Sequence, residues 1–314
     1  MKKPLIVLTG PTAVGKTELS IQLAKKVNGE IISADSMQVY KYMNIGTAKI
    51  TPDEMQGIPH YLVDEILPDE EFNVVIFQQL AKKYMEEIYN KGKIPILVGG
   101  TGFYIQAVLK NINFTETDTN LEYRSELENI AKEKGSAFLH EMLQNVDKKA
   151  ADSIHENNTK RIIRALEFYK ETKKLISEHN EEEYLKESPY NFAYFVLNTE
   201  RGLLYERINL RIDKMLEEGL VKEVEMLAKM GMKKDMVSMQ GLGYKEILSY
   251  LNREISLEEA VYLLKRDTRR FAKRQLTWFR REKNITWIEK EHFDFNNDKI
   301  LSYMLNFIKA TEII

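Results

Sequence analysis

Short apolar runs alternate with amphipathic helical patterns over residues 1–113 of the chain. The uninterrupted apolar character of Leu5–Leu8 and Ile94–Val98 predicts strands that are buried on both faces. The predicted strands are Leu5–Leu8, Glu30–Ala34 and Ile94–Val98, and the predicted helices are Gly15–Val27 and Asn73–Asn90. Strands that alternate with helices indicate an α/β fold, a parallel sheet flanked by helices.

A different pattern, charged and helical, covers residues 114–192 and predicts a mostly helical insertion domain. Its predicted helices are Leu121–Lys134, Ala137–Leu143 and Lys160–Lys174. After it, the predicted elements are strand Ala193–Leu197, helices Glu200–Glu218 and Leu257–Arg281, strand Ile285–Ile288 and helix Asp298–Lys309. We therefore predict a core domain of residues 1–113 and 193–314.

Composition narrows the functional classes. The 314 residues carry a net charge of −2, which excludes a globally basic nucleic-acid binder but not a local basic patch. Cysteine is absent, so disulfides, thiolate metal sites and a cysteine nucleophile are excluded. The longest uncharged run, Ile94–Leu109, is broken by three glycines, so we expect a soluble, cytoplasmic protein.

The clearest motif lies between the first predicted strand and helix and matches G-x-x-x-x-G-K-[ST]. It consists of Gly10, Pro11, Thr12, Ala13, Val14, Gly15, Lys16 and Thr17. Backbone N–H groups at such a helix N-terminus attract phosphate oxygens, Lys16 adds a positive charge, and the Thr17 hydroxyl can bind Mg²⁺. The motif predicts phosphate or diphosphate binding; the alternative is a purely structural turn.

Two further strand ends carry polar residues. Hydrolases of nucleoside triphosphates usually place a Mg²⁺-binding Asp after a buried strand, but Ile94–Val98 runs into Gly99–Gly102 without a carboxylate. Asp35 follows another strand and is suited to be a general base, or else it caps a turn. The glycines around Thr101 would let the backbone approach a ligand closely, or they begin a helix.

Basic residues cluster in the segment Lys265–Lys283, with nine basic and two acidic side chains. Such a cluster is typical of a surface that binds a phosphate backbone, or it is a solvated helix face paired with Glu217, Glu218 and Glu225. Smaller basic groups, Lys160–Arg164 and the series Arg201, Arg207 and Arg211, leave the same two possibilities open.

The motifs together resemble the bacterial tRNA dimethylallyltransferases. The resemblance rests on Gly10–Thr17, Ser33–Tyr40, Gly99–Tyr104, Asn158–Leu166, Leu204–Arg211, Gln240–Glu246 and Lys273–Arg280, which follow the family's order over nearly the whole chain. The blocks Asp35–Gln38 and Lys273–Trp278 are far more specific than the phosphate-binding motif.

The resemblance implies a P-loop NTPase-like fold and transfer of a dimethylallyl group from dimethylallyl diphosphate to the exocyclic amine of the tRNA adenosine 3′ of the anticodon. Asp35 would be the general base, and Thr101 would hydrogen-bond the diphosphate near the leaving oxygen. Gly10–Thr17 and Arg211 would hold the diphosphate with Mg²⁺, which Thr17 would ligate. The tRNA contacts would be Asp35, Ser36, Met37, Gln38, Thr101, Arg124, Lys160, Arg161, Ile162, Ile163, Arg164, Gln240, Gly243, Tyr244, Lys273, Arg274, Gln275, Trp278 and Arg280. We expect a monomer.

Three alternatives use the same phosphate-binding motif. A small-metabolite kinase would need lid arginines but not the basic segment Lys265–Lys283. An isopentenyltransferase that acts on free adenine nucleotides would need neither that segment nor the helical insertion. A nucleotide-dependent RNA-binding switch would need the Mg²⁺-binding Asp that the strand Ile94–Val98 lacks.

Overall fold

The computed structural model describes residues 2–114 and 121–313. Its described residues form one six-stranded sheet in which every strand pair is parallel. The strands are β1 (Lys3–Thr9), β2 (Gly29–Ala34), β3 (His60–Tyr61), β4 (Ile94–Gly99), β5 (Tyr190–Asn198) and β6 (Thr286–Glu289). Their order across the sheet is β3-β2-β4-β1-β5-β6.

The α-helices follow the strands in the chain order of a crossover fold. They are α1 (Lys16–Val27), α2 (Pro52–Met55), α3 (Val74–Asn90), α4 (Gly102–Leu109), α5 (Leu121–Val146), α6 (Lys148–Ser153), α7 (Thr159–Thr172), α8 (Ile176–Leu185), α9 (Arg201–Glu217), α10 (Leu220–Lys229), α11 (Tyr244–Leu251), α12 (Leu257–Phe279) and α13 (Asn297–Ala310). Short 3₁₀ helices span Ser238–Gln240 and Lys290–Phe293.

Strand β1 lies in the centre of the sheet and of the hydrophobic core. The side chains of Leu5–Leu8 are completely buried, because β4 and β5 flank the strand and helices cover both faces of the sheet. The predicted parallel sheet flanked by helices is confirmed.

The chain folds into two compact units. One consists of the chain up to Leu109 together with the chain from Pro189 onward, and the other is Lys110–Ser188. The second unit contains α5–α8 around a small apolar core of its own, which includes Leu127, Leu139 and Leu143.

Several short elements were absent from the sequence prediction, namely α2, β3, α6, α8, α10 and α11. Strand β3 has only two residues, too few for an alternating pattern. In the insertion, the two patterns predicted as Leu121–Lys134 and Ala137–Leu143 are joined in α5, which is kinked where Gly135 has a φ of 85°.

Candidate active site at the carboxyl edge of the sheet

The phosphate-binding motif lies where β1 ends and α1 begins. Gly15 precedes α1 with a φ of 93°, a left-handed conformation that glycine adopts without steric cost. No side chain caps this end of α1, so the N–H groups of its first turn are not committed to a capping group. A helix N-terminus of this kind attracts anions through these groups and the helix dipole.

Lys16 and Arg211 place positive charge beside this loop. The Lys16 ammonium donates hydrogen bonds to the carbonyl oxygens of Gly10 and Pro11, both at 2.9 Å. Burial and the nearby Arg211 lower the pKa of Lys16 to about 8, although Asp35 acts in the opposite direction. Burial also lowers the pKa of Arg211, whose Nη1 lies 3.5 Å from the Thr12 hydroxyl. A bound anion would relieve the repulsion between the two cations.

Asp35 follows directly on β2. Its Oδ1 accepts hydrogen bonds from the backbone N–H groups of Met37 (2.9 Å) and Gln38 (3.4 Å), which fixes the carboxylate in a tight turn. In the described part of the chain, Oδ2 accepts no hydrogen bond. Asp35 can therefore stabilise the turn through Oδ1 and also act as a general base through Oδ2.

Thr101 follows β4. Its backbone N–H donates to the carbonyl of Ala34 at 3.2 Å, and Ala34 is the residue before Asp35. Because β2, β4 and β1 are neighbours in the sheet, Asp35, Thr101 and the phosphate-binding loop all lie at the carboxyl ends of adjacent strands. The fold thus brings three separately predicted features to one edge.

Residues of α10 and α11 stabilise the loop that begins at Asp35. The Glu223 carboxylate accepts hydrogen bonds from the backbone N–H groups of Asn44, Ile45 and Gly46 at 2.8, 2.8 and 3.1 Å. The Tyr244 hydroxyl also donates to Glu223, at 2.7 Å. No role is predicted for Glu223, because nothing in the local sequence around it points to a loop that lies far away in the chain.

The side chain of Gln38 is bound within the same loop. Its Nε2 donates to the carbonyls of Thr47 and Ala48, both at 3.3 Å, and its Oε1 accepts from the Ser33 hydroxyl at 3.3 Å. Ser36 and Met37 are half-buried. Contact of Gln38 with a substrate base would require its amide to exchange these partners.

Four of the residues predicted to bind tRNA have buried side chains. Tyr244 is completely buried behind the Asp35 loop, Ile162 and Ile163 belong to the apolar core of the second unit, and Gln275 is 7% exposed. In this structure these side chains contact other residues of the chain, so their contact with RNA stays a prediction. Gly243 is buried as well, whereas Gln240 is exposed and its amide donates to the Lys234 carbonyl.

The second unit presents two of the predicted basic residues to solvent. Lys160 and Arg161 are exposed at the start of α7, and Arg164 is half-buried. Arg124 makes a bidentate ion pair with the buried Glu167, with both hydrogen bonds at 2.8 Å.

The basic segment Lys265–Lys283 has two parts that differ in their ion pairs. In the N-terminal part, Lys265 pairs with Asp213, while Arg266 and Arg270 pair with Asp267. The suggested partners Glu218 and Glu225 pair instead with lysines of α9 and α10.

Three residues in the C-terminal part of the basic segment have no acidic partner among the described residues. Lys273, Arg274 and Arg280 are exposed and make no ion pair with any described residue. With Arg201, Lys273 and Arg280 line a cavity of about 540 Å³ beyond the ends of β5 and β6. Carboxylates also line this cavity, but Glu291 already accepts hydrogen bonds from Thr199 and from a backbone N–H.

One buried cation near the phosphate-binding loop was not singled out from the sequence. Lys290 is 6% exposed, and its Nζ lies 3.4 Å from the carbonyl oxygen of Val14. Burial and Arg207 lower the pKa of Lys290. No motif marks this lysine, since it reaches the loop from a 3₁₀ helix near the end of the chain.

Two kinds of feature are absent from the described residues. Between positions 2 and 114 and between 121 and 313, no group of three or more histidine and acidic side chains could hold a metal ion. None of the helices seen there is long and apolar enough to cross a membrane.

Comparison with known proteins assigns the family. The model of the IPP transferase family matches residues 38–282. A tRNA dimethylallyltransferase of Lachnoclostridium phytofermentans is 62% identical over 313 residues, which cover 99% of both chains.

Solved structures agree with this assignment. A tRNA isopentenylpyrophosphate transferase of Bacillus halodurans is 47% identical, with a TM-score of 0.75 over 99% of this chain and 97% of that one. A eukaryotic dimethylallyltransferase acting on tRNA is 31% identical, with a TM-score of 0.83 over 98% of this chain and 80% of that one. The chain described here belongs to the IPP transferase family.

Proposed function

We propose that this protein transfers a dimethylallyl group from dimethylallyl diphosphate to the exocyclic amine of the adenosine 3′ of the anticodon in tRNA, and releases diphosphate. The observation that carries the proposal is the alignment of Asp35, Thr101 and the phosphate-binding loop at the ends of adjacent strands. The names of the relatives, which are tRNA dimethylallyltransferases, support the substrates.

The donor's diphosphate fits the N-terminus of α1. The N–H groups of its first turn, together with Lys16 and Arg211, supply donors and positive charge on one side of the loop. Positive charge at this point stabilises the diphosphate as it leaves with the bonding electron pair.

Magnesium fits the same place. Thr17 is exposed in the first turn of α1, and Mg²⁺ commonly binds one or two protein oxygens together with substrate phosphates and water. We propose that the Thr17 hydroxyl would hold Mg²⁺, which would supply charge neutralisation for the diphosphate.

Asp35 and Thr101 act on the bond that forms and the bond that breaks, respectively. As the C–N bond to the adenine amine forms and the C–O bond to the diphosphate breaks, Asp35 Oδ2 accepts the amine proton. The Thr101 hydroxyl donates a hydrogen bond to the oxygen that leaves. Proton removal is needed because a neutral adenine amine is a weak nucleophile, and a base within reach contributes about 10²–10⁴-fold.

Exposed basic residues are suited to hold the RNA backbone. Lys273, Arg274 and Arg280 lack acidic partners in the structure described, and Lys160 and Arg161 are solvent-exposed on the second unit. We propose that both groups contact tRNA phosphates, while the target base leaves its stack to reach Asp35.

The test is mass spectrometry of nucleosides from unmodified tRNA incubated with the protein, Mg²⁺ and dimethylallyl diphosphate. We expect one adenosine of the anticodon loop to gain a dimethylallyl group. AMP in place of tRNA is the matched acceptor control and should stay unmodified. Product on AMP alone would indicate a free-nucleotide transferase, and phosphate release from ATP without either product would indicate a kinase or a switch.

A further inference from the structure

One side of α12 faces two loops of the candidate active site. The Gln275 side chain, 7% exposed, accepts a hydrogen bond from the Thr12 N–H at 3.0 Å through Oε1. Its Nε2 donates to the Gly100 carbonyl at 2.9 Å. A single amide therefore joins the phosphate-binding loop to the loop after β4, and both of its ends are used.

The glycines around Thr101 make room for this helix. A Cβ atom on Gly100 would lie 2.1 Å from Gln275 Nε2, and one on Gly102 would lie 2.1 Å from Cδ1 of Trp278. Gln275 and Trp278 are three residues apart and so lie on one face of α12. The close packing of α12 therefore requires glycine at both positions, in addition to the close approach of a ligand that the sequence suggests.

Thr101 lies between these two contacts. Its own N–H donates to the Ala34 carbonyl, so its backbone is fixed on one side by β2 and flanked on the other by Gln275 and Trp278. The Thr101 hydroxyl can approach a leaving oxygen only where this backbone places it.

We propose that Gln275 is a positioning residue that holds Thr101 and the phosphate-binding loop at a fixed separation. This inference rests on the proposed function. The amide keeps the loop that binds the diphosphate in register with the hydroxyl that bonds its leaving oxygen. Because Gln275 is buried, it acts without touching RNA, although exposed neighbours on the same helix are proposed to bind RNA.

The amide suits this role because its two bonds have opposite polarity. A glutamate could accept from the Thr12 N–H but could not donate to the Gly100 carbonyl, and an asparagine is one methylene shorter. A methionine has nearly the same length but lacks the N–H donor. Loss of the amide leaves the partly buried Thr12 N–H and the buried Gly100 carbonyl without this hydrogen-bond partner, which is costly.

The first experiment compares Gln275→Met with Tyr262→Phe, an exposed position on the same helix outside the basic segment. For Gln275→Met we expect kcat at saturating tRNA to fall about tenfold or more, the loss of two hydrogen bonds of ordinary strength, while Kd for tRNA stays within about twofold. Tyr262→Phe should leave both values unchanged. A raised Kd for tRNA with normal kcat at saturation would make Gln275 an RNA contact and overturn the proposal.

A double-mutant cycle tests the contact directly. Gly100→Ala should lower kcat strongly in the wild-type background, because the new Cβ would displace the amide. In a Gln275→Ala background that space is open, so adding Gly100→Ala should lower kcat by less than about twofold. Equal costs in both backgrounds would show that the two residues are not coupled and would overturn the proposal.

Two controls keep the outcomes separate. Thermal unfolding is recorded for each variant, and if Gln275→Met does not fold, Gln275→Glu replaces it with the same expected split between kcat and Kd. A wild-type protein that transfers no dimethylallyl group would refute the proposed function. A Gln275 variant with full kcat beside an active wild type would refute only the positioning role.

Discussion

The low pKa of Lys16 predicts that binding of the donor depends on pH near neutrality. Only the protonated ammonium attracts the diphosphate, and burial together with Arg211 lowers its pKa to about 8. The unfolded chain and a solvent-exposed lysine would titrate about two units higher. Affinity should therefore fall as pH rises through 8, and should be constant well below that value.

The magnitude follows from the protonated fraction. With a pKa of 8, about nine tenths of Lys16 is charged at pH 7 and about one tenth at pH 9, so the apparent Kd for dimethylallyl diphosphate should rise roughly tenfold. An ordinary lysine would change Kd by a few per cent over the same range.

Calorimetric titration with dimethylallyl diphosphate at constant ionic strength measures this profile. Lys16→Arg, which stays charged throughout, is the matched control and should give a flat profile between pH 7 and 9. Lys16→Met should bind weakly at every pH. A flat wild-type profile would refute the lowered pKa, and a slope shared with Lys16→Arg would assign the titration to another group.

Three further results are expected. Asp35→Ala should lower kcat by about 10²–10⁴-fold while Kd for tRNA stays within a few-fold, and near wild-type turnover in single-turnover assays would remove Asp35 from the chemistry. Charge reversal at Arg274 and Arg280 should weaken tRNA binding and reduce the slope of log Kd against log salt; an unchanged slope would leave these residues as a solvated face. Tyr244→Phe should lower the free energy of unfolding by about 1 kcal/mol, because a buried carboxylate loses one donor. Urea denaturation measures it, and Tyr250→Phe, a half-buried control, should change it by less than about 0.5 kcal/mol.

Strands whose burial requires apolar residues could be predicted from the local sequence pattern. Apolar runs gave the centre of β1 and all but the last residue of β4, since strands buried on both faces are mostly apolar, and β2 was found although it contains Glu30 and Ser33. The strand ends then placed Asp35 and Thr101 at one edge, although their chemical roles stay predictions. By contrast, α10 and α11 were missed, as each has only 8 to 10 residues and follows a glycine that breaks the pattern.

Contacts between distant segments could not be predicted in this way. Gln275 reaches Thr12 across 263 residues, and no periodicity in α12 shows which of its polar residues faces inward. Similarity to a family marks the segment Lys273–Arg280 as functional, but it does not separate a buried residue from an exposed one. The structure separates them, because burial limits Gln275 to contacts within the chain while Arg274 remains available to solvent.

The missing carboxylate at the end of β4 fits the chemistry proposed for this site. In a nucleoside triphosphatase, an Asp at such a position holds Mg²⁺ while water attacks phosphorus. Here attack takes place at carbon, and the diphosphate only has to leave, so the site needs charge stabilisation at the phosphates and a base beside the nucleophile. A metal-binding carboxylate at the end of β4 would instead compete with the diphosphate for Mg²⁺ and repel it. On this reasoning, replacing Gly99 with Asp should weaken transfer even if Mg²⁺ affinity rises, all the more because a Cβ there would lie 2.2 Å from the Ala34 carbonyl oxygen.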